Sequence, residues 1–519
     1  MKRPLLLLTS LSTIALTSCG LFDKHVWSWD ASTEGYKINY CLLIGQIDHN
    51  DSMYRTRGTR EGLDTRVDPL YQKDNYNLEG AKQGHITLGE GTDYVHDFTV
   101  NELESLEQKS FAGATWDPIT ANGTTGTWIA KHGKNITCFV SNNDGMAEGA
   151  IKAFNWYEGM PIFGYDANMS TLKLINQNKI MGTVDSNTAG QCLVTSVIIR
   201  NIYNASQPKS EYNGKSLIQK MWDEDGTPYN PIYEGFQYDD EDYATEAGVG
   251  VGGYKEITYG SGYVHSTVTF DGCLNNDLTS NPKSNHAILL KNRTVAKEIY
   301  ISPEDDPSAI KTDFFFDKNG NALTAAQIYD KAEGKGTEEE PIVYPITPDP
   351  QTEAVRVWQS WYSDTDTFFS GNMDPYFNIT QAPNMFNLSI TPAKSNGADE
   401  GKNLDALSAV LTKGPNERPE AFLINPVQQP NSLQYITKIA EVYKIEPHDE
   451  WNLRSDIPVI FWNRQPTNLH GAISSEDVMN NKYFKYTYYI GFDAKQGGEL
   501  QGKMVKAWLN DTYIKSFNE

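Results

Sequence analysis

The stretch "LLIGQIDHNDSMYRTRG", residues 42–58, places Asp48, His49, Asp51 and Arg55 directly behind a short apolar run that stops at Gly45. Carboxylates accept hydrogen bonds in pairs and a guanidinium donates in a planar fork. An imidazole adds one donor or one acceptor on each ring nitrogen. Asn143, Asp166, Asp366, Asn463 and Arg464 also follow apolar runs elsewhere in the chain. Such a set suits a ligand rich in adjacent hydroxyl groups, where each planar head can serve two of them. A plainer role competes at some of these positions. Asp51 before "SMYR" and Asp144 before "GMAEG" both fit helix N-caps, whereas His49 and Arg55 are not cap types.

The elements that must position these groups repeat one theme. "INYCLLIG", "NITCFVS", "MPIFGY" and "KIMGTV" each read as a continuous apolar strand, followed by a polar loop and an amphipathic helix. After a region rich in Gly, Asp, Tyr and Pro the theme resumes in "AVRVWQSWY", "PEAFLINP", "IPVIFW" and "TYYIGFD". Strands that are apolar throughout belong to parallel sheets covered by helices on both faces. The expected fold is therefore α/β, with two Rossmann-like parallel-sheet lobes joined by a hinge. The polar residues fall just after strand C-termini, the edge at which open α/β sheets bind ligands. The expected division is a first lobe over 20–302 with an acidic insertion at about 205–290, a linker over 303–352 and a second lobe over 353–519. "AKEIYIS", 296–302, reads as one returning strand.

Composition sets wider bounds. The chain has 519 residues, 39% hydrophobic and 12% aromatic, enough for packed cores in two or three domains. A net charge of −23 argues against a nucleic-acid partner. The opening "MKRPLLLLTSLSTIALTSCG" has a basic start, an apolar stretch and small residues, the pattern of a signal peptide over 1–19. Its "LTSC" ending resembles a bacterial lipobox, which implies cleavage before Cys19, acylation of that residue and a lipid tether outside the cytoplasmic membrane. No later stretch is long and apolar enough to span a bilayer. Cys41, Cys138 and Cys192 lie in apolar runs and read, with Cys273, as small buried hydrophobes.

Several motifs together resemble the galactose/glucose-binding proteins that feed ABC sugar importers. "VSNNDGMAEGAIKAF", "MPIFGYDA", "NKIMGTVDSN" and His49-Asn50-Asp51-x-x-x-Arg55 resemble one lobe, and "VRVWQSWYSDTDTFF", "IPVIFWNRQP" and "YYIGFDAKQGGELQG" the other. The resemblance implies the type I periplasmic-binding fold and no catalysis. It implies that one lobe supplies His49, Asp51, Arg55, Asn143 and Asp166, and the other Asp366, Asn463 and Arg464. Trp116 and Phe368 would be the rings that sandwich the sugar. The lobes occur in the reverse of the family's order, which implies a circular permutation.

Two departures stand out. Ser186 occupies a position where the family has Asn, and Thr137 one where a closing Glu of a calcium loop is expected, so neither a cofactor nor calcium is expected. The leading expectation is a monomeric, lipid-anchored receptor that closes over glucose or galactose and docks on an ABC permease. A glycosidase and a surface adhesin that has kept the fold without the ligand stay open as alternatives.

Overall fold

In the computed structural model most of residues 25–65, 82–203, 353–443, 457–466 and 487–517 are described, and between 237 and 343 little more than short strands. The expected signal peptide, Cys19, Asp48, Cys273 and the acidic run "DDEDYATE" beyond its first residue lie outside the described residues.

Two sheets dominate. The first has seven strands, in the order Arg293–Ala296, Gly182–Asp185, Ile162–Phe163, Cys138–Ser141, Lys37–Ile44, His96–Glu107 and Lys82–Leu88. Its five inner strands run parallel and both edge strands antiparallel. Along Lys37–Ile44 successive side chains enter opposite cores: Cys41 and Leu43 pack on one face, Tyr40, Leu42 and Ile44 on the other. That double burial is why the run reads as continuously apolar. The second sheet has nine strands, in the order Leu388–Ala393, Val355–Ser360, Ala421–Ile424, Val459–Trp462, Thr487–Phe492, His286–Leu290, Tyr263–Val268, Tyr254–Tyr259 and Gln237–Asp239. The first six are parallel and the last three extend the sheet as an antiparallel meander. Two lobes of mainly parallel sheet, as expected, thus make up the described fold.

Where the lobes exchange elements, the structure differs from the division expected from sequence. Strand His286–Leu290 pairs with Thr487–Phe492 in the second sheet, although it falls within the span assigned to the first lobe. Strand Arg293–Ala296 joins the first sheet, and the expected strand "AKEIYIS" beyond Ala296 lies outside the described residues. Helix Ala494–Lys515 packs on helix Asn50–Gly62 of the first lobe. The contact is backbone-close: a Cβ on Gly58 would sit 2.0 Å from Gly498, and one on Gly62 2.5 Å from Gly502. The helical residues beyond Asp185 pack the other way. Arg200 donates to the Phe386 carbonyl and Cys192 to that of Met373, both in the second lobe. The chain therefore crosses between lobes after Asp185, between Leu290 and Arg293, between Ala296 and Val355, and after Phe492. The stretch expected to be a bare linker carries a small antiparallel sheet of Lys311–Asp317, Ala322–Thr324 and Ile342–Val343. Cys41, Cys138 and Cys192 are buried free thiols.

Candidate functional site

The loops at the C-terminal ends of the parallel strands face one another across the crevice between the lobes. His49, Asp51, Arg55, Trp116, Asn143 and Asp166 come from the first lobe, Asp366, Phe368, Asn463 and Arg464 from the second. Together they line one pocket in the crevice. All the sequence-derived crevice residues meet there except Ser186. Ser186 is buried, lies 3.3 Å from the Thr188 hydroxyl and accepts from Gln191 through its carbonyl, and it does not line the pocket.

Helix N-termini fix several of these side chains. The cap of helix Asn50–Gly62 is His49, whose Nδ1 accepts from the Asp51 amide at 3.1 Å. Asp51, the residue with cap chemistry, is left facing the pocket. Asn143, rather than Asp144, caps helix Asp144–Ala150 through the Met146 amide. Asp144 instead accepts from Thr183 and the Asn168 amide, tying two loops together. In the second lobe, Asp366 accepts from the Phe368 amide at 2.9 Å, ahead of the π-helical turn Phe369–Met373.

Because His49 Nδ1 receives a hydrogen bond, its proton sits on Nε2, and Nε2 is a donor. Burial, with Arg464 and Arg55 nearby, holds its pKa well below the usual imidazole value, so the ring is neutral. His49 Nε2, Arg55 Nε, Trp116 Nε1 and Asn463 Oδ1 are buried and have no protein partner. Buried polar atoms rarely stay unpaired, and leaving one so costs about 1–3 kcal/mol. These four, three donors and one acceptor, belong to pocket-lining residues.

Three of the ten lining residues also hold positive φ: Trp116 at 61°, Asp166 at 117° and Asn463 at 59°. Backbone strain of this kind costs of order 1–3 kcal/mol and concentrates at functional sites. Trp116 reaches its place because Gly45 lies under its ring. A Cβ on Gly45 would come within 2.3 Å of it. This is the structural reason the apolar run stops at a glycine.

Charge in the pocket is crowded. Arg55 pairs with Asp166 at 3.1 Å, both deeply buried. Burial raises the Asp166 pKa, Arg55 opposes the rise, and Asp366 and Asp51 add to it. Burial likewise pushes Asp51 up to about 6, against the pull of Arg55 and Arg464. Asp366 is raised by burial too. Arg464 donates to the Val427 carbonyl and to Gln46 of the opposite lobe, and lies 3.8 Å from the centroid of the Tyr362 ring. The Tyr362 hydroxyl meets the Thr115 amide and hydroxyl across the crevice, and Asn372 donates to the Asp166 carbonyl at 2.7 Å. Sequence reasoning missed Gln46, Thr115, Tyr362 and Asn372. Adjacency to the motif residues was the one signal that pointed to the first three.

Residues 30–202 match the family model described as a periplasmic binding protein domain. The chain is 30% identical over 187 residues to the D-galactose/methyl-galactoside binding periplasmic protein MglB of Haemophilus influenzae, covering 36% of this chain and 44% of that one. It thus spans less than half the length of this relative. Among solved structures, it is similar to an ABC transporter periplasmic solute binding protein from Actinobacillus succinogenes with bound D-allose. The identity there is 18%, over 30% of this chain and 43% of the other, with a TM-score of 0.20. A solute binding protein from Bacillus halodurans with bound myo-inositol is 19% identical over 30% and 42% of the two chains, with a TM-score of 0.20. Residues 30–202 thus resemble the periplasmic binding protein domain, and the described residues form two α/β lobes of mainly parallel sheet.

Proposed function

We propose that the protein is a non-enzymatic receptor for one neutral hexose, D-glucose or D-galactose, captured by closure of the two lobes. The observation that carries this reading is the set of unpaired donors and acceptor in a pocket that also holds three carboxylates and two aromatic rings. A pyranose presents a belt of hydroxyls and two C–H faces, and needs both kinds of partner. The related protein named for galactose and methyl-galactoside supports the class of ligand. In this reading Asp366 accepts from the C4 hydroxyl, in either its axial or its equatorial position, and glucose is the preferred epimer. The receptor acts as a monomer outside the cytoplasmic membrane, tethered through acylated Cys19, and delivers its sugar to an ABC permease. Among the described residues no helix is long and apolar enough to cross a membrane. Titration with a panel of monosaccharides, followed by tryptophan fluorescence and calorimetry, tests the reading. Micromolar affinity, about −8 kcal/mol, is expected for a hexose. Affinity weaker than millimolar for glucose and galactose alike would sink it.

Calcium has no part in this proposal. The Thr137 hydroxyl accepts from the Asn39 amide at 3.0 Å, and Asp30 accepts from the Ser32 amide and hydroxyl. Calcium needs six to eight oxygens, and Thr137 offers no closing carboxylate. Millimolar calcium should leave Tm unchanged. A rise of several degrees, reversed by a chelator, would show that a cation binds the folded state.

We also propose that the lobe order arose by circular permutation. Trp27 lies 5.9 Å from Trp508 between ring centroids, and Trp29 and Tyr513 both pack on Phe98. Segments near both ends of the chain thus meet in one core. Joining residue 517 to residue 25 through a short flexible linker and opening the chain between 303 and 352 should give a folded protein with an unchanged sugar preference. A rejoined chain that fails to fold cooperatively would count against the permutation.

A further inference from the structure

The Arg55 guanidinium rests on aromatic faces as well as on Asp166. Its Cζ lies 3.6 Å from the centroid of the Tyr165 ring and 5.1 Å from that of Phe492. The Tyr165 hydroxyl, in turn, donates to Asn292 Oδ1 at 2.9 Å. Asn292 is buried and sits in the short step between strand His286–Leu290 of the second sheet and strand Arg293–Ala296 of the first. It is a hinge residue. Phe492 closes the last strand before another crossing, and Gly497 lies in the first turn of the helix that follows. A Cβ on Gly497 would stand 1.7 Å from the Tyr165 hydroxyl and 3.1 Å from Asn292 Cγ. Tyr165 therefore touches a pocket cation with its ring and two of the inter-lobe crossings with its hydroxyl end.

We propose that Tyr165 is a positioning residue that couples occupation of the pocket at Arg55 to closure of the hinge through Asn292. The proposal rests on reading the crevice as a site that closes over its ligand. Lobe opening must change backbone angles in the crossing segments. Rotation at Asn292 swings its amide relative to the first-lobe loop that carries Tyr165. The buried hydrogen bond between them survives in one hinge state only. A ligand that holds Arg55 against the Tyr165 ring holds the hydroxyl in place for Asn292. The hinge is then a two-state element biased from both sites, which is what coupling requires.

The test uses the full chain with Tyr165→Phe, Asn292→Ala and the double variant. Phenylalanine keeps the ring under Arg55 and removes only the hydroxyl. Small-angle scattering of the sugar-free proteins should show both single variants more open than wild type. Glucose affinity should fall about fivefold to tenfold in each, through a faster off-rate, and the double variant should lose little more than either single one. Sugar-free variants with wild-type dimensions, or single effects that add in the double variant, would overturn the coupling. The scattering of the sugar-free proteins is read whether or not a hexose binds. A wild type that ignores every sugar therefore fails the receptor proposal, while the hinge proposal is still decided. Asn292→Ala keeps the test readable if Tyr165→Phe loses its fold, as thermal denaturation would reveal.

Discussion

Asp166→Ala should cost about 3 kcal/mol or more of hexose binding, on the order of a hundredfold in Kd. Two losses combine. The first is an acceptor: a buried carboxylate takes hydrogen bonds from hydroxyls at about 1.5–3 kcal/mol each. The second is the counter-charge of Arg55, which lies 3.1 Å away and is almost fully buried. Without Asp166 that cation keeps the Asn142 carbonyl, the aromatic faces and the more distant influence of Asp51. Breaking one half of a buried pair leaves the other half's desolvation uncompensated. Asp366→Ala removes an acceptor without stranding a close ion-pair partner, so its expected cost is smaller, about 1.5–3 kcal/mol. Calorimetric titration of wild type and both variants checks the ranking. If Asp166→Ala binds within threefold of wild type, or less is lost there than at Asp366, the site assignment fails.

The crevice was legible because parallel strands announce themselves. Cys138–Ser141, Ala421–Ile424 and Val459–Trp462 are buried along their whole length, so each reads as an unbroken apolar run, and the polar residue after it marks the ligand edge. His96–Glu107 was not legible. It lies next to the edge, its burial alternates along the first half, and "HDFTVNELESLE" looks like solvated chain. The allocation of helices to lobes escaped for another reason. An amphipathic helix declares that one face is buried, and nothing about which sheet it covers. Only the matched glycine pairs, Gly58 with Gly62 and Gly498 with Gly502, carried a signal that two helices meet backbone to backbone. The competing cap role of Asp51 and Asp144 falls to earlier residues, His49 and Asn143. At His49 the imidazole nitrogen accepts as a carboxylate would, and Asp51 is freed for the pocket. Ser186 was placed in the site by its motif alone, and its side chain found a local partner in Thr188.

Asp51→Asn should do two opposite things: raise Tm at neutral pH and weaken sugar binding. The Asp51 carboxyl has its folded pKa lifted from 3.8 to about 6, mainly by burial. Between those values the folded protein holds a proton that the unfolded chain has released. Stability therefore falls as pH rises through that window. The penalty is absent below the lower value and fully present above the upper one. A shift of roughly two units bounds it at about 3 kcal/mol. That shift already contains the attraction of Arg55 and Arg464, so the gain expected at pH 7 is at most about 3 kcal/mol. Binding runs the other way. A sugar hydroxyl donates best to the ionised carboxylate, so the wild type should release protons when it binds near pH 6, and its affinity should weaken from pH 7 to pH 5. Asp166, raised in the same direction, adds to that trend. Asp51→Asn should bind more weakly at pH 7 and lose part of the pH dependence. Thermal denaturation at pH 5 and 7 measures the first effect, and titration in two buffers of different ionisation enthalpy counts the protons of the second. A lower Tm for Asp51→Asn at pH 7, or a wild-type affinity flat between pH 5 and 8, would show that Asp51 carries no such strain. Should both effects appear, the pocket holds its carboxylates in ionised form at the expense of the free protein's stability, and the bound sugar relieves that cost.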